Sequence, residues 1–105
     1  MKRKKNDTLT ALARALCADY ERRKSLINAG GISRRVRMEY VYLNSRIVEA
    51  AGEICGARFA EVFIKEIGEG KGYAYSSIDC MSEVTYKNYK SSICDNIIRK
   101  LYLSD

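Results

Sequence analysis

The side chains most suited to covalent or metal chemistry in this sequence are four thiols, Cys17, Cys55, Cys80 and Cys94, and no histidine accompanies them. No two of the thiols lie closer than 14 residues. There is therefore no C-x-x-C pair, and the Cys/His spacings of a zinc site are absent. Each thiol sits in or beside an apolar helical stretch and reads as a small buried hydrophobe. A reactive thiolate needs a base or a helix N-terminus to lower its pKa, and Cys80, just ahead of the last expected helix, comes nearest to that condition. Without histidine there is no standard nucleophile–base triad and no side chain that naturally titrates near neutral pH. The carboxylates are scattered over expected outer faces. Glu61 and Glu66 flank Lys65 in ordinary surface-helix composition, and no acidic cluster has the spacing of a metal site. A non-enzymatic protein without cofactor, metal or small-molecule substrate is expected.

Recognition is the chemistry the sequence does suggest. The segment from Gly72 to Lys90 reads G-Y-A-Y-S-S-I-D-C-M-S-E-V-T-Y-K-N-Y-K. A helix-turn-helix needs a short helix, a tight turn, and a second helix whose N-terminal residues enter the major groove. Met81 supplies the apolar plug of such a turn, Ser82 the cap, and Tyr86 the inward residue of the second helix. Ser76 is the small residue where the two helices would cross. Conformation over Tyr73 to Cys80 is not legible from the residues.

That Met-Ser-x-x-Thr-Tyr stretch, with Lys87, Tyr89, Lys90 and the Ile/Leu-spaced helix behind them, resembles the C-terminal part of small phage and prophage proteins. These are the late-gene transcriptional activators of the ArpU and RinA kind, whose C-terminal parts are similar to the DNA-binding region 4 of sigma factors. The specific part of the resemblance spans about 30 of the 105 residues. It implies a DNA-binding transcription regulator in which Ser82 meets a phosphate while Glu83, Val84, Lys87, Asn88 and Ser91 face the groove. Lys87 would pair with a phosphate or a guanine, and Asn88 would read adenine. Glu83 would accept from a cytosine amine or else repel phosphate. Two positions depart from the pattern. Asp79 stands where the first short helix wants an apolar residue, with Ile78 one place early, and Cys80 replaces a preferred glycine in the turn. A DNA-packaging recognition subunit of a phage would use the same surface.

Four helical segments are needed to position these residues. The first is expected from Asp7 to Asn28, with Leu9, Leu12, Ala13, Leu16, Tyr20 and Ile27 on one stripe and Gly30-Gly31 ending it. Ser33 caps a second helix over Arg34 to Cys55. Its apolar positions Val36, Tyr40, Leu43, Ile47, Ala50 and Ile54 step by 4, 3, 4, 3 and 4, which predicts a long helix antiparallel to the first. The same spacing serves a seam between two chains, so a homo-oligomer through this hairpin, acting as a helical interaction module, is the competing expectation. Arg34, Arg35 and Arg37 oppose the macrodipole at the start of that helix and call for Glu39, acids of the first helix, or a bound phosphate. A third helix, Ala57 to Ile67, buries Phe59, Val62, Phe63 and Ile67. Gly68, Gly70 and Gly72 then form a plain turn, lacking the Gly-Lys-Ser/Thr ending of a phosphate loop. The last helix, Glu83 to Tyr102, buries Tyr86, Ile93, Ile97 and Leu101.

These elements make an all-α fold, a compact bundle of about four to five helices that can end in a helix-turn-helix. One domain is expected over residues 1–105: a basic flexible tail (1–6), a long helical hairpin (7–55), and a shorter helix, Gly-rich turn and helix-turn-helix-like part (57–105). Hydrophobic residues at 47%, charged residues at 30% and no proline suit that reading. Four cations of the +6 net charge sit at Lys2, Arg3, Lys4 and Lys5, and the remaining 15 basic residues nearly balance 13 acidic ones. The tail reads either as a phosphate-reaching arm or as a frayed terminus. No apolar run is long enough to span a membrane, and no signal peptide is evident. A cytoplasmic protein with duplex DNA as its partner is the expectation.

Overall fold

The computed structural model describes residues 7–103, so the basic tail at Lys2 to Lys5 lies outside the described residues. The expected first helix is two: α1, Asp7–Ala18, and α2, Tyr20–Ala29. No proline or glycine makes the break at Asp19. Side chains make it, by taking over the carbonyls of the disturbed turn. Arg23, 3% exposed, donates through its guanidinium to the Leu16 carbonyl at 2.7 Å, to Asn44 Oδ1 at 2.7 Å and to Asp19 Oδ2 at 3.1 Å. The Asn44 amide in turn donates to the Tyr20 carbonyl at 3.2 Å. Arg23→Met keeps the aliphatic stem but leaves the Leu16 carbonyl and Asn44 short of a partner. It should cost about 2 kcal/mol, read as a lowered midpoint in urea.

Helix α3 runs over Arg34–Cys55, and the Ser33 hydroxyl caps it by accepting from the Val36 N–H at 3.1 Å. It returns antiparallel to α2, because Tyr20 meets Asn44 while Arg22, further along α2, meets the earlier Tyr40. Ile47 and Ala50 of the 4-3-4-3-4 seam are fully buried, while Val36, Tyr40, Leu43 and Ile54 are half-buried. The inner part of the seam is thus used within the chain. No residue from Lys24 to Leu43 is buried, so the far half of this hairpin stands clear of the core and contributes to a long dimension of 43 Å. Arg35 reaches Glu39 at 4.0 Å; both are exposed, so the pair adds little stability.

Gly56, at φ +88°, joins α3 directly to α4, Ala57–Glu69. A side chain there would be strained, since L-residues rarely adopt that φ. Helix α4 crosses α1 and α3 and buries Ala60, Phe63, Ile64 and Ile67. Glu66 is buried with them, 2% exposed, and not on the surface as its composition suggested. A left-handed Gly70 ends the helix. After a 3₁₀ turn over Tyr73–Tyr75, α5 spans Glu83–Ile98 and runs into a π-helical turn, Arg99–Leu103. It packs on α1 and α3, burying Ile93, Cys94, Ile97 and Ile98, while Tyr86 in its first turn reaches α4. The buried Asn96 amide holds it to α3, donating to the Ala50 carbonyl at 3.0 Å and to Glu53 at 3.0 Å. The fold is an all-α bundle, with no strand among the described residues. No helix among them is long and apolar enough to cross a membrane.

Candidate nucleic-acid interface

The leading end of α5 is set by one cap and one anchor. Ser82 is extended at φ −72° and ψ 163°. Its hydroxyl oxygen accepts from the Thr85 N–H at 3.2 Å and its hydrogen goes to Thr85 Oγ1 at 3.1 Å, so it satisfies one of the orphan donors of the first turn. Four residues on, Tyr86 is fully buried. Its ring stacks near Phe63 with centroids 5.3 Å apart and meets Tyr73 at 5.5 Å. Its hydroxyl donates to Glu66 Oε1 at 2.7 Å. With Tyr86 turned in, the opposite side of the helix must face solvent.

Ser82, Glu83, Lys87, Asn88 and Ser91 are all exposed. At 100° per residue the four on the helix, with Val84 at 68% exposure, share a face about 140° wide. Of the residues named for the groove, the five on the helix share this face, and Ser82 lies just ahead of it as the cap. Within that face Lys87 pairs with Glu83 at 2.9 Å, an exposed i, i+4 pair that a stronger anion can displace.

The helix-turn-helix pattern meets a different geometry. Residues 76–82 contain no helix, so α5 has no short partner helix ahead of a tight turn. The donors of this segment are directed at a buried carboxylate. Glu66 accepts from Ser76 Oγ at 2.6 Å, from the Ser77 N–H at 2.8 Å and from Ser77 Oγ at 2.9 Å. Ser76 is therefore a partner of Glu66 rather than the residue at a helix crossing, and its hydroxyl also accepts from the Ile78 N–H at 2.9 Å. Ile78 takes the buried place beside the core that the pattern gave to position 79, and Asp79 points outward. Met81 does pack against the core, and its carbonyl accepts from the Tyr73 hydroxyl at 2.9 Å.

The largest single influence on the Glu66 carboxyl is burial, which raises its pKa. Hydrogen bonds from Ser76, the Ser77 backbone, Tyr86 and the Ser77 hydroxyl together outweigh burial and hold the group below the ordinary carboxylate range. The Tyr86 hydroxyl is pushed the other way, up to about 12, first by burial and then by its bond to Glu66.

The thiols divide. Cys17 and Cys94 are buried and Cys55 is half-buried; burial pushes the Cys17 thiol up to about 12, as befits an inert core group. Cys80 is exposed, against the expectation of a small buried hydrophobe. The chain turns Ile78 and Met81 inward there, which leaves position 80 on the outside. No group of three or more acidic or thiol side chains among the described residues is arranged to hold a metal ion.

Sequence reasoning named Lys90 in the resemblance without a role in the site, and passed over Arg14. Lys90 lies three residues beyond Lys87, and its ammonium sits 5.2 Å from the centre of the Tyr86 ring and donates to the Lys71 carbonyl. Arg14 of α1 approaches it: the Lys90 pKa is lowered first by burial and then by the Arg14 charge. Spacing within α5 hinted at Lys90; nothing local could have paired it with a residue 76 positions earlier. No family model, no curated protein and no solved structure matches this chain.

Proposed function

We propose that the chain is a non-enzymatic, phage-type DNA-binding regulator that presents the leading end of α5 to duplex DNA. One observation carries this reading: Glu83, Lys87, Asn88 and Ser91 stand exposed on one face of a helix whose other face is pinned by the buried Tyr86. A rigid helix with a basic and amide-bearing outer face fits the major groove. Because the preceding segment is not a helix, α5 acts as a single recognition helix. The bundle of α1, α3 and α4 behind it takes the place of the usual first helix.

Fluorescence anisotropy on labelled duplexes tests this. Binding should weaken steeply as salt rises. Lys87→Ala should lower affinity for all sequences and flatten the salt dependence by about one charge. Asn88→Ala should remove about 1–3 kcal/mol of base discrimination. Both positions are exposed, so the thermal midpoint should stay within about 2 °C of the parent. No retention at about 50 mM salt, or a flat salt response, would sink the reading.

A specific observation favours a second role, that of a helical interaction module. Met38 at 65% and Tyr42 at 54% exposure lie one turn apart on the outer face of α3, with Val41 beside them. Light scattering at high concentration separates the two roles, because a strict monomer has no use for this face.

A further inference from the structure

Between α1 and α5 lies a cleft of about 260 Å³, walled by Thr10 and Arg14 on one side, Lys87, Lys90 and Ser91 on the other, and Gly70 at the end of α4. Three cations converge on it from two helices that are far apart in sequence. Their charges are mutually unfavourable. Arg14 lowers the Lys90 pKa, and Arg14 has no acidic partner among the described residues.

The protein's own anions do not relieve this. Glu66 acts on Lys90, but its two oxygens already accept from Ser76, Ser77 and Tyr86. Glu69 pairs with Lys65 at 2.9 Å and Lys71 at 3.4 Å, and Glu83 holds only Lys87, at the rim. The Cys94 thiol on the wall is raised by burial and stays neutral. Guanidinium, ammonium and the hydroxyls of Thr10 and Ser91 form a donor-rich surface, which is the chemistry of anion capture. The volume lies below the ~300–1,000 Å³ of pockets that take drug-sized organic ligands, and it suits a small anionic group.

We propose that this cleft is a phosphate seat in which Arg14 and Lys90 grip one phosphate group, with Lys87 at the rim. Its assignment to a backbone phosphodiester of duplex DNA rests on the function proposed above; a small phosphorylated molecule offers the same chemistry from another source. On DNA, a phosphate held here fixes the register of α5, because Lys87 and Ser91 belong both to the cleft wall and to the groove-facing side. Phosphate contacts position a protein on the duplex while base contacts specify the site.

Two measurements on the full chain test the seat. Inorganic phosphate titrated into labelled protein should move the amide resonances of Thr10, Gly70 and Ser91, and leave those of Ser25 and Ser45 on the distant hairpin unmoved. Arg14→Gln and Lys90→Gln should each weaken binding of a mixed-sequence duplex by about tenfold and reduce the salt slope by about one, whereas Lys90→Arg should retain most of the affinity. Arg14 is exposed, so Arg14→Gln keeps the test alive if Lys90→Gln fails to fold. Duplex binding that neither variant alters, in affinity or in slope, overturns the seat and leaves the regulator standing. Phosphate shifts at the cleft in a chain that ignores DNA keep the seat, assign it to a small phosphorylated ligand, and remove the regulator. Shifts spread over the surface with no preference for the cleft overturn the seat.

Discussion

Gly68→Ala should destabilise the protein by about 3 kcal/mol or more, although alanine is the better helix former by ~1 kcal/mol. Gly68 lies inside α4, where its backbone is ordinary. Its importance comes from what lies outside the helix. A Cβ at position 68 would sit 2.7 Å from the Cα and N of Ala18 and 2.8 Å from the carbonyl carbon of Cys17. All three are backbone atoms, so no rotamer change can make room, and α1 and α4 must move apart. Cys17, Ile64 and Ile67 then lose part of their packing in a core that offers few alternatives, since interiors are packed as tightly as organic crystals. For a domain with about 5–15 kcal/mol of total stability, that is a large share. Gly52→Ala provides the matched control. Gly52 is also helical, in α3, and a Cβ there would meet nothing within 4 Å. That change should be neutral or stabilising by up to ~1 kcal/mol. Urea denaturation of the two variants should therefore give opposite signs, and a stabilised Gly68→Ala would show that the close crossing of α1 and α4 is wrong. The crossing matters beyond stability, because Arg14 on α1 and Gly70 just past α4 are held against α5 by it.

The same crossing shows why part of the fold was legible and part was not. Periodic apolar spacing depends only on neighbours along the chain, so it gave α3 its ends at Arg34 and Cys55, and the capping serines at positions 33 and 82 were readable from type and place. The break at Asp19 has no local signal. It arises where Arg23 and Asn44, 21 residues apart in sequence, capture carbonyls of the turn. Buried polar groups were hidden for a related reason. Arg23 and Glu66 lie seven residues after Leu16 and Phe59, on the apolar stripes, and Asn96 lies at the edge of its own. Residues of these types are usually wet, so type masked what position showed. Each is buried because a distant partner satisfies it. The exposed face of α5 followed from the inward Tyr86 alone and was therefore visible in the sequence. The cleft beside it needs Arg14, whose approach to Lys90 exists only once α1 and α5 are packed. Ahead of Ser82 the residues left the conformation open, and a tertiary competitor for the local donors, the Glu66 carboxylate, accepts from Ser76 and Ser77 there.

That competitor yields the other large effect. Glu66→Ala should cost about 3–5 kcal/mol, because it strands the Tyr86 hydroxyl in the core and leaves Ser76 and Ser77 without their acceptor. Glu66→Gln keeps the shape but turns one acceptor into a donor facing other donors, and should cost about 2 kcal/mol. The pH dependence separates charge from shape. The folded-state pKa of Glu66 is depressed, so the unfolded chain takes up the proton first as pH falls. The stabilisation is present above the ordinary carboxylate pKa and is lost as pH drops through the folded value. The parent should therefore lose stability in acid more steeply than Glu66→Gln, and parallel curves would mean that the carboxylate is not the form that binds. Hydrogen exchange locates the loss. In Glu66→Gln the amides of residues 76–86 should open before those of α3, since Glu66 ties both the linker and the first turn of α5 to α4. If the leading end of α5 meets DNA, this variant should also weaken binding without touching any groove-facing residue, because a frayed first turn must be reordered before it can bind.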